Sequence, residues 1–393
     1  MRSCHVRTTV RNSMRARFHG GEVRPEAAVW AAAERQAAHV STTYIDSISV
    51  GEADLQRLVD AALATPPSAP SRESVPDCVC CLSKPDTGAM SDPVGYIGLG
   101  HLGGYLAASL LRAGHRVTVT DLNPALADAL IASGATWAAT AAEVASASDV
   151  VFTCLPSPRA VDAVVTGADG VLAGLRRGRT WIDNSTNDRN ETLRLAGLCA
   201  ERGINMLECP VTGGVHKAAE GDITVLVGGD QTVFEQHRHL LEAIGQPILY
   251  MGPIGNAAII KVITNMLAFI HLVAAGEALM LAKRGGLDLA ASFEAIRNSS
   301  GNSFVHETES QVILNGSYNI GFTMDLALKD LGFASEFGRE FGVPLEVAAL
   351  VEATFVRAKE AYGGGAWSSQ VVKLLEDALG TDLRAEGFPE MLQ

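Results

Sequence analysis

The sequence predicts an α/β fold: a doubly wound, mainly parallel sheet covered by helices, then an all-helical second half entered through one long helix. Three observations predict it. From residue 92 onward, strand-like and helix-like segments alternate as far as Gly252-Pro253. The strand segments are near-continuous apolar runs, as strands buried on both faces are. Beyond Gly252-Pro253 only helical periodicity continues.

The first strand, 94–98, runs into Gly98-Leu99-Gly100-His101-Leu102-Gly103 and a Leu/Ala-rich helix to 113. Gly114 closes that helix, 116–121 reads as the second strand, and Asp121 stands at its end, 18 positions after Gly103. Strand, glycine turn, helix, strand and acid in this order form a dinucleotide-binding fingerprint. Gly98 allows the tight turn, Gly100 lets the backbone approach a pyrophosphate, and Gly103 lets the helix pack on the strand. The helix start then offers free N–H groups to the phosphates.

Further strands are expected at 150–155, 180–184, 205–209, 223–228 and 247–251. Helices are expected at 124–133, 141–147, 159–166, 188–202 and 231–244. The gap between 209 and 223 is too short for a full crossover helix, so the sheet is expected to turn mixed there. The second half reads as a helix over 255–284, ended by Gly285-Gly286, and further helices at 288–298, 304–314, 325–341, 345–361 and 367–379. The domains are thus 92–253, binding dinucleotide, and 254–393, all-helical, with substrate expected in the crevice between them.

Residues 1–91 differ in character. Arg2, Arg7, Arg11, Arg15 and Arg17 precede the first acid, Glu22, and 65–75 has a linker composition. Isolated helices are expected at 27–38 and 52–64. The segment reads either as a transit peptide for an organelle or as an over-extended start before Met90, a disordered extension outside the fold in both cases. Cys78-Val79-Cys80-Cys81 lacks a second ligand pair, so no metal site is expected.

The chain has 393 residues, is 47% hydrophobic and 19% charged, and carries a formal net charge of −13, which predicts no nucleic-acid footprint. Seven scattered cysteines, an odd number, fit a reducing, cytoplasmic interior. The apolar run 266–282 contains His271 and Glu277, which argue for a core helix and against a membrane span.

Three motifs carry candidate chemistry. Cys209-Pro210-Val211-Thr212-Gly213-Gly214 ends a strand; its glycine N–H groups and the Thr212 hydroxyl suit a carboxylate, or it is a plain tight turn. Lys261 and Asn265 are four apart on one helix face among Ile259, Ile260, Val262 and Ile263. Burial there lowers a lysine's pKa toward a range useful for proton transfer; the other reading is a lysine snorkelling at the helix edge. Lys329-Asp330, taken alone, reads as a solvated helix face.

Together these motifs resemble the β-hydroxyacid dehydrogenase family over residues 93–380. The likeness rests on Gly98-x-Gly100-x-x-Gly103, Leu155-Pro156, Ile182-Asp183-Asn184-Ser185-Thr186, Pro210-Val211-Thr212-Gly213-Gly214, Gly255-x-x-x-x-x-Lys261-x-x-x-Asn265, Ser300-Gly301-Asn302-Ser303 and Lys329-Asp330-Leu331. The resemblance implies a Rossmann-type domain before the helical one and an NAD(P)-dependent oxidoreductase. It implies Lys261 as catalytic acid/base and Asn265 as its companion on the substrate. Thr212, Gly213 and Gly214 would bind the substrate carboxylate. Gly98, Gly100, His101, Leu102, Gly103 and Asp121 would hold the cofactor, with Leu155, Pro156, Thr186 and Lys329 toward the nicotinamide. A homodimer or homotetramer formed through the helical half is implied as well.

Departures bear on specificity. Thr212 stands where Ser is commoner, and His216-Lys217 put two basic side chains near the carboxylate turn, where they either serve a larger or doubly anionic substrate or simply point to solvent. Phe304, Val305 and His306 occupy a cleft-lining stretch. Asp121 followed by Leu122 and Asn123, with no arginine, predicts NAD over NADP. Imine reduction and non-catalytic dinucleotide binding are the rival readings; relatives of both kinds usually lack the lysine that is Lys261 here.

Overall fold

Strands form where the apolar runs lie, and the turn chemistry between them sets their order. A computed structural model describes residues 92–392. The expectations for 1–91, including the helices at 27–38 and 52–64 and the cysteine cluster, lie outside the described residues.

The elements of the first half are β1 (Pro93–Ile97), α1 (Gly103–Arg112), β2 (Arg116–Thr120), a 3₁₀ turn (Pro124–Ala127), α2 (Asp128–Ala132), β3 (Thr136–Trp137), α3 (Ala141–Ser146) and β4 (Val150–Thr153). They continue as α4 (Pro158–Thr166), α5 (Val171–Gly174), β5 (Thr180–Asp183), α6 (Arg189–Glu201), β6 (Asn205–Glu208), β7 (Val211–Thr212), α7 (Val215–Glu220), β8 (Thr224–Gly229), α8 (Gln231–Ile244) and β9 (Ile248–Gly252). The sheet order is β3-β2-β1-β4-β5-β6-β8-β7, with β9 also on β8. Strands β1 to β6 are parallel, and the sheet turns mixed at β8, which runs antiparallel to β6 and β7 and parallel to β9.

The strand pair β6 and β7 is one chain path bent at Cys209-Pro210. Proline has no N–H for the ladder, yet its carbonyl still accepts from Leu226 N–H at 2.9 Å. One sheet face buries Val94, Tyr96, Phe152 and Ile182 beneath α1 and α8; the other buries Ile97, Val151 and Trp181 beneath α3 to α6. The two-residue strands β3 and β7 and the short α5 and α7 are not legible as periodic runs. The single helix expected at 124–133 is divided, because Asn123 caps a 3₁₀ turn that begins at Pro124.

The second half is helical: α9 (Asn256–Arg284), α10 (Leu289–Arg297), α11 (Phe304–Asn315), α12 (Met324–Glu340), α13 (Glu346–Tyr362), a 3₁₀ segment (Ser368–Val372) and α14 (Lys373–Leu379). By length and composition α9 could cross a membrane. It packs instead against β7, β8 and β9 at one end and against α10 to α13 along its length. Phe269, Leu272, Leu279 and Met280 are its contribution to the helical core. Gly276 lets Val372 approach; a Cβ there would lie 2.6 Å from a Val372 methyl.

Candidate active site

The glycine turn is built as its sequence requires. Gly98 has φ +92°, and a Cβ there would lie 2.4 Å from the Cys154 carbonyl oxygen; at Gly103 a Cβ would lie 2.0 Å from the Gly98 carbonyl oxygen. Both are demanded by the protein's own packing. Gly100 differs: a Cβ there would meet nothing within 4 Å. Helix α1 starts without a side-chain cap and without an acid in its first turn, so its positive end is left for an anion. Asp121 closes the arrangement, its carboxylate accepting from Leu99 N–H at 2.7 Å and Asn123 N–H at 2.8 Å. An uncapped helix start, an open position at the middle glycine and an acid fixed at the end of β2 fit a dinucleotide. His101 rests edge-on against Trp367 of the helical half, 5.9 Å between ring centres.

Next to this turn lie the ends of β4 and β5. Leu155 N–H donates to Ser185 Oγ at 2.9 Å, which ties Leu155-Pro156 to the loop bearing Thr186. Beneath them Asp183 accepts from Thr153 Oγ1 at 2.8 Å and from Ser185 N–H at 3.1 Å. Burial pushes its carboxyl up to about 6 against those hydrogen bonds.

The expected pair on α9 is interior. Lys261 is 7% exposed and Asn265 9%, which excludes a snorkelling lysine. Lys261 Nζ donates to Asn265 Oδ1 at 2.8 Å, and Asn265 Nδ2 donates to Asp330 Oδ2 at 2.6 Å. The Lys329 ammonium lies 3.0 Å from Asp330 Oδ1, as an ion pair not aligned as a hydrogen bond, and donates to the Thr186 carbonyl at 2.7 Å. One polar chain therefore runs from the β5 loop through Lys329, Asp330 and Asn265 to Lys261. Burial brings the Lys261 ammonium down to about 8; the Asp330 carboxylate opposes this and the Lys329 ammonium adds to it.

Thr212 ends β7, and Gly213 and Gly214 follow with φ +128° and +93°, a turn open to glycine alone. Lys217 is paired with Asp222 at 3.0 Å. His216 lies against Gly214, stacks on Phe304 at 6.4 Å, and has its pKa lowered by burial and by Lys217. Both side chains thus lie beside the turn, His216 against Gly214 and Lys217 against Gly213.

Of two acids in this region, the sequence reading takes Asp330 with its motif as a solvated face and passes over Glu208. Asp330 is 1% exposed although its motif reads as solvated. Its signal was its place among Met324, Ala327, Leu331 and Ala334, one buried face of α12. Glu208 is 3% exposed and accepts from the N–H groups of Gly255, Ala257 and Ala258, the last two at 3.0 and 3.1 Å. Its signal was a carboxylate inside the otherwise apolar stretch Met206-Leu207-Glu208-Cys209. Burial pushes it up to about 7 despite these three donors. Among the described residues no cluster of metal-ligating side chains occurs.

Residues 93–252 match the family model described as the NAD binding domain of 6-phosphogluconate dehydrogenase. Residues 255–375 match that described as the NAD-binding of NADP-dependent 3-hydroxyisobutyrate dehydrogenase. The chain is 35% identical to the 2-(hydroxymethyl)glutarate dehydrogenase of Eubacterium barkeri over 74% of its own length and 97% of that protein's. It is 34% identical to the L-threonate dehydrogenase of Cupriavidus necator, over 72% and 96%. Among solved structures, the 3-hydroxyisobutyrate dehydrogenase of Mycobacterium tuberculosis with L-serine superposes with a TM-score of 0.66 at 29% identity, covering 73% of this chain and 99% of that one.

Proposed function

The chain belongs to the β-hydroxyacid dehydrogenase family, NAD(P)-binding oxidoreductases acting on CH–OH, and from that premise we propose that it interconverts a β-hydroxy carboxylate and its semialdehyde with NAD, Lys261 serving as general acid/base. The observation that carries the reading is the buried Lys261–Asn265–Asp330 chain.

A bound nicotinamide supplies the hydride acceptor for oxidation and the donor for reduction. The protein's part is the proton. With its pKa near 8, Lys261 is available in both protonation states near neutral pH, the condition for efficient proton transfer in either direction. In oxidation the neutral amine takes the hydroxyl proton; in reduction the ammonium returns it to the carbonyl oxygen. Asn265 Oδ1 holds one N–H of Lys261 and so orients the nitrogen toward the substrate. Thr212, Gly213 and Gly214 bind the substrate carboxylate through the hydroxyl and the glycine N–H groups. Leu155, Pro156, Thr186 and Lys329 border the nicotinamide, and Gly98, Gly100, His101, Leu102 and Gly103 hold the pyrophosphate.

NAD is proposed over NADP because Asp121 is an acceptor for ribose hydroxyls and repels a 2′-phosphate, and the residues that follow it, the fully exposed Leu122 and then Asn123, include no arginine. A homo-oligomer formed through the helical half is proposed on the exposed apolar side chains of α9 and α13, including Leu267, Leu281 and Leu350. A reducing, cytoplasmic setting is proposed on the free thiols Cys154, Cys199 and Cys209. One experiment tests the reaction: a panel of three- to five-carbon hydroxy acids and semialdehydes assayed with both cofactors. Turnover of hydroxy carboxylates is expected. Tight cofactor binding with no turnover on the whole panel contradicts the proposal.

A further inference from the structure

Helix α9 begins with no side-chain cap of its own: Gly255 stands at the N-cap with φ +97°. The first four N–H groups of a helix have no partner within it. Here three of them, on Gly255, Ala257 and Ala258, donate to the Glu208 carboxylate from 47 to 50 residues away, and the fourth, on Asn256, donates to the Pro253 carbonyl at 3.2 Å. All four are thus satisfied, three by one buried side chain of the sheet. Gly228, paired with Glu208 across the β6–β8 ladder, makes the room: a Cβ there would lie 2.3 Å from Glu208 Oε1.

The same residue stands at two ends of the proposed site. Lys261 follows Ala258 by three residues, less than one turn beyond the last captured N–H. On the other side Glu208 precedes Thr212 by four residues, along the path that Pro210 and the β8 ladder hold. We infer that Glu208 is a positioning residue: it pins the start of the lysine-bearing helix to the strand that leads into the Thr212-Gly213-Gly214 turn, and so fixes the distance between the proton-transfer nitrogen and the carboxylate-binding N–H groups. This rests on the proposed roles of Lys261 and of that turn. A displacement of about 1 Å in such geometry costs on the order of 10²-fold in rate.

The test compares Glu208→Gln, which keeps the length and loses the charge and one acceptor, with Glu208→Asp, one methylene shorter. Measured are kcat and KM for the hydroxy acid found active in the panel, the Kd of the reduced cofactor by fluorescence, and thermal unfolding. The concentration of folded enzyme is counted by cofactor stoichiometry. Expected are a fall in kcat of about 10- to 100-fold per folded molecule, a raised KM for the carboxylate substrate, and a cofactor Kd within about twofold of wild type. Glu208→Asp should lose more than Glu208→Gln. A lowered melting temperature with kcat and KM per folded molecule unchanged overturns the inference and leaves Glu208 a stability residue. If either variant fails to fold, the other decides, and Gly228→Ala, which pushes the carboxylate from the opposite side, is the third probe with the same expected split. Lys261→Met is run in parallel: wild-type turnover there removes the premise, whereas an inactive Lys261→Met with unaffected Glu208 variants removes only this inference.

Discussion

Asp330 takes the Asn265 amide nitrogen at 2.6 Å, and that contact decides which way the amide faces. With its nitrogen held by a carboxylate, Asn265 can offer only its oxygen to Lys261, which donates to it at 2.8 Å. An amide left free could turn over and present two donors to an amine that is itself a donor. The orientation of the lysine is thus set from a different helix.

Charges beside Lys261 should move its titration in opposite directions. The Asp330 carboxylate favours the ammonium and the Lys329 ammonium disfavours it. Hydroxy-acid oxidation needs the neutral amine, so activity should climb with rising pH through about 8. Asp330→Asn removes the stabilising charge, lowers the lysine's pKa and carries that limb to lower pH. Lys329→Met raises the pKa and carries it to higher pH. Profiles of kcat/KM, which report the substrate-free enzyme, that move the same way in both variants contradict the arrangement.

Burying the Lys261 ammonium costs stability. Its pKa falls from 10.5 to about 8 on folding, and each unit is worth 1.36 kcal/mol, so the cost is about 3 kcal/mol at any pH below 8. It fades between pH 8 and 10.5, where only the unfolded chain still binds the proton. Lys261→Met removes the charge and forfeits the Asn265 bond, itself worth about 1 kcal/mol. Calorimetry at pH 7 should show the variant more stable by about 2 kcal/mol; a destabilised variant would refute the argument.

Two glycines of one motif should fail differently. Gly103→Ala sets a Cβ 2.0 Å from the Gly98 carbonyl oxygen and should cost roughly 1–3 kcal/mol of folding stability by overpacking. Gly100→Ala meets no protein atom, so its melting temperature should match wild type while the cofactor Kd rises at least about tenfold. Equal effects of both on melting would show that the open position is not reserved for the cofactor.

Cofactor choice should turn on Asp121. Its oxygens hold two backbone N–H groups, so the replacement should keep an acceptor: Asp121→Ser with Leu122→Arg. The exposed position of Leu122 accepts an arginine without repacking. The ratio of kcat/KM for NADP over NAD should rise by about 10²-fold, or 2.7 kcal/mol. An unchanged ratio would place the discriminator elsewhere.

Periodicity and turn chemistry made most of this legible in the sequence. The run from Val94 through the three glycines to Asp121 announced strand, turn, helix and acid, because those residues interact over short separations. The crowded interval between 209 and 223 announced the mixed sheet. Asp330 was opaque because its burial depends on α9 lying across α12, a contact 65 residues long-range. Glu208 was opaque for the same reason: a carboxylate in an apolar strand is costly until the helix start that needs it arrives 47 residues later. Lys217 was legible only in its position beside the turn; its pairing with Asp222 depends on how the following loop folds back.

The most direct measurement is the pH dependence of kcat/KM for hydroxy-acid oxidation, which reports the groups of the substrate-free enzyme, in wild type and Lys261→Met. The account predicts a limb near pH 8 in the wild type, and in the variant a loss of turnover of at least about 10²-fold with cofactor still bound. Wild-type turnover in Lys261→Met, with the same limb intact, would contradict it.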